Sequence, residues 1–182
     1  RLARVEKWFY RQEAKPEDFR LSDYAKMAFD TTSKYSTDVN MNMNVSSPTN
    51  EPVFKAQYSA SMFDLLLIFF KNMFSYSFDE FERPASFQVS VEEGNIMHWY
   101  LENKLRKDTD EEALNRLFQE RIGDEKRIQK EGGSGLVKAM NIIRFDFGEP
   151  RNYYKIVASE GKCLIDVYIS LSNMIVDLEL ES

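Results

Sequence analysis

The sequence predicts an α/β (α+β) two-layer sandwich, in which helices cover one face of a mixed, mostly antiparallel sheet. Two patterns predict this class. Segments with the alternation of a half-buried strand, and segments with the spacing of an amphipathic helix, follow one another along the 182 residues. The strand-like segments are mostly neighbours in the sequence, and helical segments separate the groups, which is typical of a single sheet with helices packed on it.

The composition supports a globular domain and narrows its partners. Hydrophobic residues make up 43% and charged residues 30%, which suits a core rather than disorder. The longest apolar stretch, Leu65–Phe70, is far short of the roughly 18 residues of a membrane helix, so we expect no membrane segment. The net charge of −6 disfavours nucleic acid as the main partner. The single cysteine, Cys163, excludes an internal disulfide, and a cytoplasmic setting is the expectation.

The sequence begins with Arg1 rather than Met, so we expect a fragment of a longer protein or a processed product. We expect residues 1–18 to be a helical linker and residues 19–182 to form one domain. Within the linker, the apolar positions have the spacing of one helical face and predict a helix over residues 2–13. These positions are Leu2, Val5, Trp8 and Phe9.

The next segments predict a helix, a strand and a second, very apolar helix. Pro16 and the acids after it are typical of a first helical turn, and the helix is expected to run to about Tyr35. Strict alternation predicts a strand over residues 38–46. The apolar residues of Ser61–Tyr76 cover a broad helical face.

Two hairpins are predicted in the second half. The first joins Phe87–Val91 to Ile96–Glu102 through Glu93-Gly94-Asn95, and the second joins Tyr153–Ala158 to Lys162–Ile169 through Glu160-Gly161. Between the hairpins, residues 107–131 are charged and favour helix. An amphipathic helix follows Gly132-Gly133-Ser134-Gly135 and runs to Phe147. A weaker alternation at Ile175, Asp177 and Glu179 indicates an edge strand.

Asn72 is a candidate metal ligand. It lies within an apolar helix, where an amide is costly unless it has partners. Its side-chain oxygen is a ligand that Mg²⁺ accepts beside phosphates. The structural alternative is a polar residue near a helix end that bonds to a loop.

Gly132-Gly133-Ser134-Gly135, directly before a helix, is a candidate phosphate-binding turn. Glycines let the backbone approach a ligand closely, and free N–H groups at a helix N-terminus favour a phosphate. A flexible hinge is the alternative. The turn matches neither the Walker A nor the Rossmann pattern.

Together these motifs resemble the histidine-kinase-like ATPases, also called GHKL or Bergerat-fold ATPases. Residues 63–77 resemble the N-box helix of that family, with Asn72 in the metal-binding position. Gly132-Gly133-Ser134-Gly135-Leu136 resembles the G2 box. Residues 19–23 and the strand 38–46 resemble the segments that lead into such domains. The resemblance covers roughly residues 19–170.

The resemblance implies that ATP or ADP binds with Mg²⁺. It places the nucleotide at Asn72, Tyr76, Asn103, Lys104 and the G2-box residues Gly132, Gly133, Ser134, Gly135 and Leu136. The G1 box of the family normally contains an Asp and two glycines, whereas Leu101-Glu102-Asn103-Lys104-Leu105 has no glycine. Asn103 is then either the adenine-reading residue, as in sensor kinases with Asn there, or a polar residue at a strand end. The charged segment Lys104–Glu131 would be the lid, and the alternative is a solvated helical face.

Two further departures bear on catalysis. Hydrolytic members of the family carry a Glu four residues before the N-box Asn, whereas Ile68 stands here and cannot take a proton. Asp64 lies one turn farther back on the same face. The single histidine, His98, lies in a strand and is expected to be a packed structural residue rather than a phosphate acceptor.

Three functional hypotheses remain. The first is a nucleotide-binding domain of a signalling or regulatory protein, which supports phosphotransfer or an ATP-gated switch of the lid. It would have a protein partner or homodimerise through a missing upstream region. The second is a nucleotide-free relative that acts as an interaction or dimerisation module. The third, an unrelated α/β enzyme, lacks a supporting cluster of catalytic residues.

Overall fold

The computed structural model describes residues 17–35, 42–76, 85–93, 95–123, 135–149 and 151–176. The strands are β1 (Phe19–Arg20), β2 (Met43–Ser46), β3 (Val53–Phe54), β4 (Ala85–Glu92), β5 (Ile96–Lys104), β6 (Tyr153–Ser159) and β7 (Lys162–Ser170). The α-helices are α1 (Leu21–Ser33), α2 (Ser59–Tyr76), α3 (Glu111–Gly123) and α4 (Gly135–Asn141). A π-helical turn over Ile142–Asp146 extends α4.

Five strands form the main sheet in the order β2-β4-β5-β7-β6. β2 runs parallel to β4, and the other neighbouring pairs are antiparallel. The turn between β6 and β7 has positive φ at Glu160 and Gly161, 54° and 72°. Two consecutive positive φ values are typical of a type I′ turn, whose twist matches that of the strands it joins. β1 and β3 form a separate two-stranded antiparallel sheet.

The core lies between the sheet and the helices. The apolar side chains of α2 are almost completely buried: Met62, Leu65, Leu66, Phe69, Phe70 and Met73. On β5, every second residue is buried, including Trp99, whose ring lies edge-on to Phe69 at 5.8 Å between centroids. Phe29 of α1 contacts Phe70 in the same edge-on manner, so α1 and α2 share one core. The predicted two-layer class with a mixed sheet is confirmed.

Several boundaries differ from the expected ones. The first helix begins at Leu21 rather than near Pro16, because β1 precedes it and pairs with β3. The described part of the strand predicted over residues 38–46 is Met43–Ser46. Ile175 forms an antiparallel bridge with Phe54, so the chain after β7 joins the small sheet. Residues 1–16 and 177–182 lie outside the described residues, as does the predicted helix 2–13.

Part of the charged segment 107–131 forms α3, and one side of this helix packs in the core instead of being solvated. Leu114 and Phe118 of α3 are buried in the core. The Asn115 amide donates to the Ala158 carbonyl at 2.8 Å and accepts from the Ala158 N–H at 2.7 Å. This amide takes the place of a neighbouring strand at the edge of β6. Since α3 is fixed to the sheet in this way, the first half of the expected lid is part of the folded body.

Candidate functional site

Asn72 lies on α2, and its side chain is half-buried. Its Nδ2 donates to the carbonyl of Ile68 at 2.7 Å. A carbonyl only accepts hydrogen bonds, so the amino end of the amide must face the helix and Oδ1 must face away from it. Within the described residues, Oδ1 accepts no hydrogen bond. The amide is therefore held in an orientation that leaves Oδ1 without a hydrogen-bond partner among the described residues.

Gly135, the first residue of α4, lies directly against this part of α2. A Cβ added at Gly135 would lie 3.5 Å from Ile68 Cγ2 and 3.8 Å from Asn72 Nδ2. The first residue of α4 thus lies over the helical turn formed by Ile68 and Asn72. The structure brings together Asn72 and the last glycine of the glycine-rich turn, which are 63 residues apart in the sequence.

Two polar contacts hold α4 and its π-helical turn against α2. Lys138 Nζ lies 3.0 Å from Asp64 Oδ2, and the Ser61 hydroxyl donates to Asp146 Oδ2 at 2.7 Å. The Asp64 carboxylate, on the same face as Ile68 and Asn72, is therefore paired with a lysine. It is not positioned as a free base beside Asn72.

The beginning of α4 is also tied to the sheet. The Tyr154 hydroxyl on β6 donates to the carbonyl of Leu136 at 2.7 Å. Burial raises the pKa of Tyr154, so the phenol stays protonated as a donor. Leu136 is itself buried, so its side chain serves the core and only its backbone can take part in a site. Sequence reasoning missed Tyr154, which is one of several aromatic residues in an alternating strand.

Asn103 and Lys104 point to opposite faces of the sheet. Asn103 is 3% exposed on the helix-covered face, and its Nδ2 donates to the Lys104 carbonyl at 3.3 Å. In the register of β5 and β7, Lys104 lies opposite Lys162, on the open face of the sheet. Side chains alternate along a strand. The structure therefore places Asn103, but not the Lys104 side chain, on the face that α2 covers.

The remaining predicted residues are described only in part. Gly132, Gly133 and Ser134 lie outside the described residues, and Tyr76 is the last residue of α2 but its side chain is also outside them. Across the part of the chain that the structure describes, no group of three His, Cys, Asp or Glu side chains is arranged to hold a metal ion.

In the same part of the chain, no helix has the length and apolar character needed to cross a membrane.

His98 belongs to the open face of the sheet. Its Nε2 lies 2.9 Å from Asp166 Oδ1, and its ring stacks on Tyr168 with 4.4 Å between centroids. Tyr168 in turn stacks on Tyr153. This row across three strands gives His98 a packing role, as its position in the sequence predicts. The row is separated from Asn72 by the sheet.

No protein-family model matches the sequence, and no curated protein matches it. The fold, in contrast, is similar to many solved structures. Histidine kinase AdeS of Acinetobacter baumannii matches with a TM-score of 0.59 and 11% identity, over 86% of this chain and 68% of that one. The mycobacterial sensor histidine kinase MprB matches with a TM-score of 0.59 and 10% identity, over 84% of this chain and 95% of that one.

Two further structures set the extent of the match. The catalytic domain of histidine kinase ThkA matches with a TM-score of 0.58 and 11% identity, over 84% of this chain and 93% of that domain. The blue-light activated histidine kinase EL346 of Erythrobacter litoralis matches over 91% of this chain but 50% of its own length, with a TM-score of 0.58 and 13% identity. This chain thus has the fold of a histidine kinase catalytic domain, the Bergerat fold. The match spans 93% of the ThkA catalytic domain and half of the longer EL346 chain.

Proposed function

We propose that this chain is a Mg²⁺-dependent ATP- or ADP-binding domain of a larger signalling or regulatory protein. One observation carries the proposal. In a Bergerat fold, the Asn72 amide lies against Gly135, the first residue of α4, and its Oδ1 accepts no hydrogen bond from the described residues. An oxygen ligand for a hard cation and a close backbone approach are the two features that a metal-bridged nucleotide requires.

The residues present fit Mg²⁺ bound through phosphates. Mg²⁺ keeps several waters and takes one or two protein oxygens beside substrate phosphates, so a single ligand such as Asn72 Oδ1 is sufficient. The cation would neutralise phosphate charge next to the acidic chain. Gly132–Leu136 would supply backbone N–H groups, and Asn103 would read the base from the covered face of the sheet.

The proposed role is binding linked to phosphotransfer or to a switch, rather than rapid hydrolysis. Ile68 occupies the position one turn before Asn72 and packs under Gly135, so no side chain there can activate a water. Asp64 is paired with Lys138. A phosphate acceptor would then belong to another domain or protein, and the upstream part of the protein would supply a partner or a dimer contact. ShkA, whose structure was determined in complex with AMPPNP, has a similar fold at 12% identity.

A nucleotide-free interaction module remains the second candidate, because β5 continues as regular strand to Lys104 where the family has a glycine-containing turn. The aromatic residues of α2 give it little support. Phe69 and Phe70 are buried in the core and offer no surface to a partner.

The decisive test is calorimetric titration of ATP, ADP and a non-hydrolysable ATP analogue with and without Mg²⁺. We expect Asn72→Ala to weaken Mg²⁺-dependent binding by about tenfold or more, since one metal ligand is lost, while Asn72→Asp keeps an oxygen ligand and retains the Mg²⁺ dependence. Asn44→Ala, on an exposed position of β2, is the matched control. If neither heat nor a thermal shift appears at millimolar nucleotide, the nucleotide-binding proposal fails and the interaction module replaces it.

A further inference from the structure

A groove of about 490 Å³ lies on the outer side of α1, next to β1 and β3. Its floor contains Tyr24, Met27 and Val53. Met27 is 55% exposed, although the opposite side of α1 is packed in the core. Tyr24 stacks on Phe19 at 4.0 Å between ring centroids, which fixes the position of its ring. The groove therefore leaves a small apolar surface uncovered.

The rim of the groove is acidic. Glu17, Asp18 and Asp23 line it together with one basic residue, Arg20. Asp18 accepts a hydrogen bond from the Ala56 N–H at 2.8 Å, and Asp23 makes a long, exposed contact of 3.9 Å with Lys26. An exposed pair at that distance contributes little, so the rim retains negative charge for a further partner. The groove therefore fits an apolar surface flanked by cations.

The sequence just before Glu17, the first residue that lines the groove, combines apolar and basic residues in the matching way. Residues 1–15 include five basic and two acidic residues. At 100° per residue on a helix over residues 2–13, the basic residues fall within an arc of about 60°, and the apolar residues cover about 120° beside it. The basic residues of this helix are Arg4, Lys7 and Arg11, and the apolar ones are Leu2, Val5, Trp8 and Phe9.

We propose that residues 2–13 dock as a basic amphipathic helix into this groove of their own domain. The apolar stripe covers Tyr24, Met27 and Val53, and the basic stripe faces the acidic rim. Pro16 disfavours helix at the residue before it, so the helix ends there and the chain can reverse direction. Glu17, the next residue, already lines the groove, which makes the connection short. The proposal is independent of nucleotide binding.

Disulfide trapping in the full chain tests the proposal. The one native cysteine, Cys163, should not compete in such a test, because it is 1% exposed and burial raises the pKa of its thiol to about 12. We expect Phe9→Cys/Met27→Cys or Val5→Cys/Met27→Cys to form an intramolecular disulfide under mild oxidation. It should form about tenfold faster than in Phe9→Cys/Val157→Cys, because docking raises the local concentration of the pair. Val157 is 41% exposed on the open face of the sheet.

Other outcomes overturn the proposal. Equal trapping at Met27 and Val157 would show a segment without a preferred site. A disulfide formed only between two molecules would assign the groove to a second copy. Binding of the wild-type chain to vesicles containing phosphatidylserine, with no preferential trapping at Met27, would assign the basic helix to a membrane surface.

The charge contact has its own test in the variant Asp23→Lys. Slower trapping in this variant would support the predicted contact between the basic stripe and the acidic rim, and an unchanged rate would contradict it.

Tryptophan quenching gives a second measurement that needs no cysteine. The chain has two tryptophans, Trp8 in the proposed helix and Trp99 in the core at 1% exposure. Docking protects both from acrylamide. We expect Met27→Asp to raise the quenchable fraction of the emission, whereas Val157→Asp leaves it unchanged. The same quenchable fraction in Met27→Asp and wild type would contradict docking at Met27.

Discussion

At the scale of single residues, Asn115 shows how one amide stabilises the edge of a sheet. Its two hydrogen bonds to Ala158 satisfy a backbone N–H and a backbone C=O at the outer strand. Asn115→Ala removes both partners and leaves buried backbone groups unpaired. We expect the free energy of unfolding to fall by about 2 kcal/mol, because leaving a buried polar group unsatisfied costs about 1–3 kcal/mol. Urea unfolding followed by circular dichroism measures the change.

Arg116→Ala is the control for Asn115, because it changes the neighbouring residue of the same helix. Arg116 makes an exposed contact of 3.7 Å with Glu112. Exposed pairs of this type contribute little, and the expected change in the free energy of unfolding is about 0.5 kcal/mol or less. Equal losses for the two variants would mean that α3 as a whole, rather than the Asn115 amide, stabilises the edge.

A second residue-scale prediction concerns Glu102 on the open face. Two opposing effects act on the pKa of Glu102. Partial burial raises it, whereas hydrogen bonds from Lys162 and Tyr100 together lower it by more, so the pKa lies below its ordinary value of 4.5. A carboxylate with a lowered pKa stabilises the fold above its unfolded-state pKa, and this contribution is lost as the pH falls through the folded-state value. The difference in melting temperature between wild type and Glu102→Gln should therefore be largest near neutral pH and shrink below about pH 4.5.

The control for Glu102 is Glu112→Gln, whose side chain is 90% exposed. Its melting temperature should follow that of the wild type across the same pH range. A Glu102→Gln difference that stays constant from neutral to acidic pH would mean that the Lys162 and Tyr100 contacts do not favour the ionised carboxylate.

The residue scale also shows what local sequence can and cannot predict. Asn72 stands out because its neighbours are apolar, and the structure gives its amide a distinct orientation. Asn115 lies among charged residues and has no distinctive context, because its partner, Ala158, is 43 residues away. Lys104 follows Asn103 directly, yet the alternation of the strand directs it to the other face. A site predicted from residues adjacent in the sequence of a strand therefore includes side chains from both faces of the sheet.

At the scale of elements, the contact between α2 and α4 is governed by Gly135. An alanine Cβ there would lie at 3.5 Å and 3.8 Å from its nearest neighbours, which is ordinary van der Waals contact. We expect Gly135→Ala to leave the melting temperature unchanged or to raise it slightly, since it also reduces the freedom of the unfolded chain. Gly135→Val adds methyl groups against Ile68 and Asn72. Overpacking of this type costs about 1–3 kcal/mol and should lower the melting temperature.

Asn141→Val tests whether the Gly135 effect is one of packing rather than helix propensity, because Asn141 is the last residue of α4 and half-buried. A loss for Gly135→Val that equals the loss for Asn141→Val would attribute both to propensity. A loss for Gly135→Ala as large as that for Gly135→Val would contradict the close but unstrained contact that the structure shows.

Element type was predictable from the sequence, whereas element ends were not. The hairpins β4–β5 and β6–β7 follow from alternation and glycine-containing turns. The start of α1 does not, because Phe19 and Arg20 are taken into a strand by pairing with β3, more than 30 residues away. The π-helical turn after α4 was not predicted either, and its last residue, Asp146, accepts a hydrogen bond from Ser61, 85 residues away in the sequence.

At the scale of the whole molecule, the sequence predicts one mixed sheet but not its strand order. Both hairpins have the same alternation, so either strand of the second could lie next to the first. The structure places β7 between β5 and β6, and its register with β5 runs from Ile96–Ser170 to Lys104–Lys162. This central position buries Cys163 beside Asn103. The thiol thus reports on the middle of the sheet.

Cys163 allows a test of whether the sheet and the helices unfold together. The buried residues of α1, α2, α4 and the central strands belong to one contiguous core, which favours a single cooperative transition. Because burial raises the pKa of Cys163 to about 12, the folded chain should resist thiol reagents. We expect the urea midpoint of Cys163 labelling to coincide with the midpoint measured by far-UV circular dichroism. In Val157→Cys, the thiol lies on the open face of the sheet and should react at once without urea. Labelling of Cys163 well below the dichroism midpoint would show that β6 and β7 open before α2 leaves the core, and the two layers would then be separate folding units.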